Sequence, residues 1–146
     1  MKAVIQRVLK SEVIVKNETV GKINNGILVL LGIGKDDKSS DIEYLANKII
    51  NMRIFEDSND KMNLSLMDIK GELLIVSQFT VYGDCRKGRR PSFDKAAKPK
   101  EANKLYDEFV DFCISLGIKV NTGIFQQHMN VIINNDGPVT FIVESN

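Results

Sequence analysis

Residues 26–34, "GILVLLGIG", form an almost unbroken apolar run with glycine at both ends. A strand with one wet face alternates polar and apolar side chains. A short run without alternation suits a strand buried on both faces. Residues 71–83, "GELLIVSQFTVYG", make a second run of the same kind. Around these two, residues 4–15 read as a strand, and residues 15–23 as its return leg, turning near Asn17 and Glu18.

Helical spacing appears twice. Ile42, Leu45, Ala46, Ile49 and Ile50 recur at i, i+3, i+4, i+7 and i+8, which predicts a helix over 40–52 with Ser40 and Glu43 as a capping box. Ala102, Leu105, Tyr106, Phe109, Cys113 and Leu116 share one stripe of a helix over 99–116; Pro99 fits its first turn and Gly117 its stop. Residues 128–136 and 138–144 read as two closing strands, with the turn-like Asn134-Asn135-Asp136-Gly137-Pro138 between them. Asn-Asp-Gly would suit a hairpin, but proline cannot donate to a ladder and belongs at a strand's first residue or on an edge. Strands outnumber helices. The expected fold is a single α/β domain over residues 1–146, a mixed β-sheet with two main helices packed on it.

Composition narrows the function classes. The chain has 146 residues, 43% hydrophobic and 27% charged, enough for one domain with its own core. A net charge of +1 provides no global field, so an anionic partner must meet a local patch. Cys85 and Cys113 lie far apart with no C-x-x-C pairing, which argues against a disulfide framework or zinc site and for reduced thiols. The first residues have only short, interrupted apolar runs; neither a signal peptide nor a membrane span is expected, and the placement is cytoplasmic.

Three segments offer chemistry. The run 71–83 changes character at Ser77-Gln78-Phe79-Thr80, where hydroxyl and amide groups emerge at the end of a buried strand. Such an end is a common site position in α/β folds; the same residues also fit a strand simply leaving the core. Alternation would put Ser77 and Phe79 on one face, Gln78 and Thr80 on the other. A nucleophilic hydroxyl needs an adjacent base, and none is identifiable: the only histidine, His128, lies outside any motif, and Asp36-Asp37 and Glu56-Asp57 lack metal-ligand spacing. Residues 85–93, "CRKGRRPSF", bring Arg86, Lys87, Arg89 and Arg90 together around Gly88. That loop suits phosphates, with Phe93 as a stacking face for a base, or is simply a solvated loop. "GIGKDD" (residues 32–37) lacks the spacing of a nucleoside triphosphate loop.

Taken in order, "IQRV", "MNLS", "SQFT", "RRPSF" and "NDGPVTF" resemble the D-aminoacyl-tRNA deacylases, colinearly over essentially the whole chain. Val81, where the family often has leucine, is a conservative departure; residues 82–85 are less familiar. The resemblance implies a homodimer, without metal or cofactor, that hydrolyses the ester joining a D-amino acid to the 3′ end of tRNA. Glycine, including glycine mischarged on tRNA-Ala, is an implied substrate too. It implies a cis Gly137-Pro138 bond inserted into the partner's site, with L-amino acids excluded by main-chain carbonyls and Arg7 bracing the segment. It further implies that Ser77, Gln78, Phe79 and Thr80 form the catalytic motif, main-chain N–H groups near Phe79 and Thr80 holding the substrate carbonyl. Thr80 is either a covalent nucleophile or a bystander to water oriented by the terminal ribose 2′-OH; the absence of a visible base favours the latter. Arg89, Arg90 and Phe93 are expected at the tRNA end and its adenine, with Phe125 and Met129 as pocket walls or plain core. An RNA-binding module without catalysis, and a purely structural dimer, remain the competing readings of the residues themselves.

Overall fold

A computed structural model describes residues 1–145. Its elements in chain order are β1 (Lys2–Val15), β2 (Glu18–Ile23), β3 (Gly26–Gly32), α1 (Ser39–Asn51), β4 (Phe55–Glu56), β5 (Met62–Leu64), β6 (Glu72–Ser77), a 3-10 turn (Phe79–Tyr82), α2 (Pro99–Ser115), β7 (Lys119–Thr122) and β8 (Asn130–Glu144). The mixed sheet and two helices expected from the sequence are all present.

The long strand β1 organises the sheet. Its residues 2–8 pair antiparallel with β3, its residues 11–15 with β2, and its other edge with β8 along nearly its whole length. Beyond β3 come β6 and then β7, both parallel to β3. Lys16 and Asn17 both take positive φ (49° and 68°), the conformation of the tight turn that returns β1 into β2. β2 then lies over the sheet so closely that a Cβ on Gly21 would collide with the Thr122 carbonyl of β7.

This doubling-back explains the unbroken apolar runs. Ile27, Val29, Leu31, Leu73 and Ile75 face the main core beneath α1 and α2, with Ile42, Leu45, Ile49 and Phe109. Leu28, Leu74 and Val76 face the other way, into a smaller core with Val8, Val13, Val15 and Ile23. Both faces of β3 and β6 are therefore dry. Each fully buried Leu or Ile in these layers contributes about 1.5–3 kcal/mol relative to exposure.

Three expectations are corrected. The strand over 71–83 stops at Ser77: Gln78 N–H makes the last bond to β3, to the Leu31 carbonyl (2.8 Å), and Val81 N–H then turns back onto the Gln78 carbonyl (3.4 Å) as the chain winds into the 3-10 turn, so the predicted alternation through Thr80 does not apply. Helix α1 is capped by Asp41, whose carboxylate accepts the Lys38 N–H at 2.8 Å, rather than by a Ser40–Glu43 box. The two closing strands are one, β8, interrupted but not reversed. Gln6 pairs with Thr140 and Val8 with Asn135, so Arg7 alone faces the four residues Asp136 to Val139. The intervening loop is closed by Asn135, whose Oδ1 accepts the Val139 N–H at 2.9 Å and whose Nδ2 donates to Thr140 Oγ1 at 3.0 Å. Within it the Gly137-Pro138 bond is cis.

Candidate active site

Strands β3, β6 and β7 run parallel, and β7 ends at Thr122 opposite Ile75, two residues before β6 does. The cleft that opens beyond this step has a volume of about 640 Å³. Leu31, Ile33, Val76 and Ser77 form its floor. One wall is the start of α2, from Ala96 to Pro99, with Ala102 one turn further on. That wall is stitched to the end of β3 by Ala97 N–H to the Ile33 carbonyl (2.9 Å) and Lys35 N–H to the Lys95 carbonyl (3.0 Å). The opposite wall is the segment from Phe125 to Met129 that crosses from β7 to β8. Ligands in parallel sheets bind at this carboxyl end of the strands.

Two aromatic rings guard the mouth. Phe79 and Phe93 meet edge to face, their centroids 4.9 Å apart, and both are exposed. Phe79 starts the 3-10 turn, and among the described residues the N–H groups of Phe79 and Thr80 have no protein acceptor. The turn is held from behind by Tyr82, whose ring packs on Gly34 and carries the Lys2 ammonium 5.5 Å from its centroid. Burial, then the nearby Asp37 carboxylate, pushes the Tyr82 phenol above its ordinary pKa and keeps it neutral.

The Gln78 amide donates to the Thr80 hydroxyl, and among the described residues no carboxylate or imidazole hydrogen-bonds Thr80 or Ser77. Thr80 is exposed and is not a wall of the cleft, whereas Ser77, Gln78 and Phe79 are. Phe125 and Met129 serve both readings made of them. Each lines the cleft; Phe125 also stacks 6.0 Å from Tyr106, and Met129 packs on the smaller core. Arg89 and Arg90 lie in an exposed loop closed at its base by the Asp84–Ser92 bridge, outside the cleft lining. Within that loop Arg86 is not free: it grips Asp84 at 2.5 Å, and its side-chain hydrogen bonds hold the Asp84 carboxyl well below the usual range.

Arg7, Gly137 and Pro138 form a second group, none of them lining the cleft of their own chain. Arg7 is 4% exposed. Its Nε donates to the Asp136 carbonyl (3.2 Å) and pairs with the Asp136 carboxylate (3.1 Å), while Nη1 donates to the Ile54 carbonyl (2.8 Å). Gly137 and Pro138 are exposed. Gly137 has φ +123°, a conformation that L side chains rarely adopt.

Sequence reading missed the polar wall made by Gln126, Gln127 and His128, and the partners Ile54, Glu56 and Asp136 of Arg7. No local pattern marks them, because each acts through a contact distant in sequence.

The chain is similar along its whole length to proteins of known family. The family model described as D-Tyr-tRNA(Tyr) deacylase matches residues 4–144. The D-aminoacyl-tRNA deacylase of Thermosipho africanus (strain TCF52B) is 64% identical over 145 residues, covering 99% of this chain and 97% of that protein. That of Clostridioides difficile (strain 630) is 62% identical over the same extent. A solved structure described as c-Myc DNA Unwinding Element Binding Protein superposes with a TM-score of 0.95 at 39% identity, covering 100% of this chain and 99% of that one. A second, described as a probable eukaryotic D-amino acid tRNA deacylase, gives 0.85 at 19% identity over 99% and 98%, a likeness of fold alone.

Proposed function

Because the chain belongs to the D-Tyr-tRNA(Tyr) deacylase family, hydrolases of the ester in D-aminoacyl-tRNA, we propose that the cleft beyond β3, β6 and β7 receives the aminoacylated 3′ end of tRNA. One observation supports this placement above others: Ser77, Gln78 and Phe79 converge there with Phe93 and the start of α2. Phe93, paired with Phe79, offers the terminal adenine a stacking face, and Phe125 and Met129 line the space behind it. Arg89 and Arg90 lie on an exposed loop suited to the acceptor-end phosphates.

In this reading the N–H groups of Phe79 and Thr80 hold the ester carbonyl oxygen as it gains charge. Ser77 and Gln78 bind substrate or backbone around it. Thr80 is not the nucleophile: its hydroxyl accepts from Gln78, and among the described residues no base hydrogen-bonds it to take its proton. Water attacks instead, oriented by the ribose 2′-OH. An aminoacyl ester is activated enough for positioning and carbonyl polarisation to supply much of the rate.

Chirality is read by a second copy of the chain. Gly137 and Pro138 are exposed, and beside them on β8, a strand paired with β1 alone among the described residues, stand the exposed apolar side chains Ile132, Ile133, Phe141 and Ile142, which a homodimer would cover. The main-chain carbonyls of Gly137 and Pro138 enter the partner's cleft, braced by Arg7, and leave no room for an L side chain. Glycine has no side chain to exclude, so glycyl-tRNA, including glycine mischarged on tRNA-Ala, is hydrolysed as well. Such proofreading belongs in the cytoplasm, where tRNA is charged.

The test is release of D- and L-tyrosine from matched tRNA esters, with enzyme well below substrate. Repeated turnover of the D ester with the L ester spared is the expected result. Binding of tRNA with both esters intact would leave a binding module; cleavage of both would remove Gly137-Pro138 as the filter.

A further inference from the structure

We propose that the β4–β5 hairpin, acting through Glu56, is a positioning element that sets the strictness of D-over-L selection; this rests on the reading of Gly137-Pro138 given above. Arg7 stands where the β1–β8 ladder is broken, with four residues of β8 opposite it. Its guanidinium, buried to 4% exposure, is shared between two structures. One is Asp136, through carbonyl and carboxylate. The other is the hairpin arm, through the Ile54 carbonyl at 2.8 Å and the Glu56 carboxylate 3.6 Å from Nη2. Nη2 also stands 3.2 Å from where a Cβ on Gly137 would be. Glu56 therefore holds the nitrogen that fills the space a side chain at position 137 would need, while Nε of the same guanidinium holds Asp136.

The arm is built to hold its position. Ile54 and Phe55, 4% and 5% exposed, root it in the main core. Arg53 crosses from one leg to the other, its Nε donating to the Asn63 carbonyl at 2.7 Å and its Nη2 to the Asn63 side chain. Asp57 closes the tip, its Oδ1 accepting the N–H groups of Asn59 (2.8 Å) and Lys61 (3.2 Å) and its Oδ2 the Asn63 amide (3.0 Å). A guanidinium between a fixed arm and a loop transmits the arm's position to the loop. Without the Glu56 carboxylate, Arg7 keeps Asp136 as its only carboxylate partner. The guanidinium then turns toward it and draws Asp136 and Gly137 along. Small displacements of groups that define a reacting geometry cost far more than their energy of contact suggests.

Glu56 is 52% exposed on its side chain, so its replacement leaves the fold intact. The experiment measures kcat/KM for D- and L-tyrosyl-tRNA in the parent, Glu56→Gln, Glu56→Ala and Glu56→Lys, with melting temperatures alongside. The D/L ratio is expected to fall about tenfold in Gln and Ala and further in Lys, chiefly because the L ester is cleaved faster, with D turnover within about threefold of the parent. Combining Glu56→Ala with Arg7→Lys should lower the ratio no further than Arg7→Lys alone, since both act through one contact. An unchanged ratio in all three Glu56 variants, or additive effects in the double variant, overturns the proposal while leaving the deacylase reading standing. A parent that cleaves neither ester overturns both.

Discussion

Arg7 on β1 and Asp136 on β8 are joined twice, through the Asp136 carbonyl at 3.2 Å and its carboxylate at 3.1 Å, across the one stretch where their strands do not pair. The contact replaces ladder hydrogen bonds with a buried guanidinium. Removing it should cost both stability and selectivity. Arg7→Ala leaves the Ile54 and Asp136 groups unsatisfied, and a loss of about 3 kcal/mol is expected in urea unfolding. Arg7→Lys keeps the charge but not the fork, and should lose D/L discrimination with a smaller stability change.

Gly137→Ala meets two obstacles. The residue sits at φ +123°, and its new methyl would stand 2.7 Å from Val139 Cγ2. Destabilisation of about 1–3 kcal/mol is expected. Because the loop must shift, D-tyrosyl-tRNA turnover should fall as well, measured in the same ester-release assay.

Thr80→Val removes the hydroxyl while keeping the shape. If water is the nucleophile, kcat should remain within about tenfold of the parent, the loss being that of one hydrogen bond. Near-complete loss of turnover with tRNA binding retained would instead identify Thr80 as the nucleophile.

Phe93→Ala removes half of the aromatic pair at the cleft mouth. Stacking on a base is worth about 1–3 kcal/mol, so KM should rise roughly ten- to hundredfold with kcat little changed. A fall in kcat at constant KM would place Phe93 at the reacting centre instead.

Acid should weaken the fold through carboxylates that cap turns. Asp68 is held below its ordinary pKa first by the Ser65 N–H and then by the Ser65 hydroxyl, and Asp57 by the N–H groups of Asn59 and Lys61. Their folded pKa values lie below the unfolded value of about 3.9. The stabilisation is therefore complete above that pH and disappears as pH falls through the folded values. Melting temperature should drop steeply below about pH 4, and Asp68→Asn should lower it at neutral pH and flatten the acid slope.

The elements were legible in sequence to the extent that their hydrogen bonds are local or their burial is periodic. Helices α1 and α2 showed their stripes, and the doubly buried β3 and β6 showed as unbroken apolar runs. Asp41, not a Ser40–Glu43 pair, caps α1, because the helix begins at Ser39 with Lys38 as its N-cap, which puts Ser40 inside the first turn and Asp41 three residues after the cap. Nothing in "SQFTVYG" tells a strand from a 3-10 turn: the ladder to β3 ends with the Gln78–Leu31 bond, and Val81 and Gly83 then bond back to Gln78 and Thr80. The final strands misled for a related reason. Asn-Asp-Gly is hairpin chemistry, but β1 is long enough to pair with both halves of β8, so the chain was held straight and the turn became a bulge.

By itself the sequence determined the layers, the pattern of burial and, through its colinear motifs, the family. Tertiary structure alone decided which residues share a cleft. It set Ser77, Gln78 and Phe79 beside Phe93 and the wall from Gln126 to Met129. It also set the buried Arg7 behind an exposed Gly137 in a separate cluster. Burial depends on composition and period, which a chain carries locally. A site depends on where distant segments end relative to one another, and here that was settled by β7 stopping two residues short of β6.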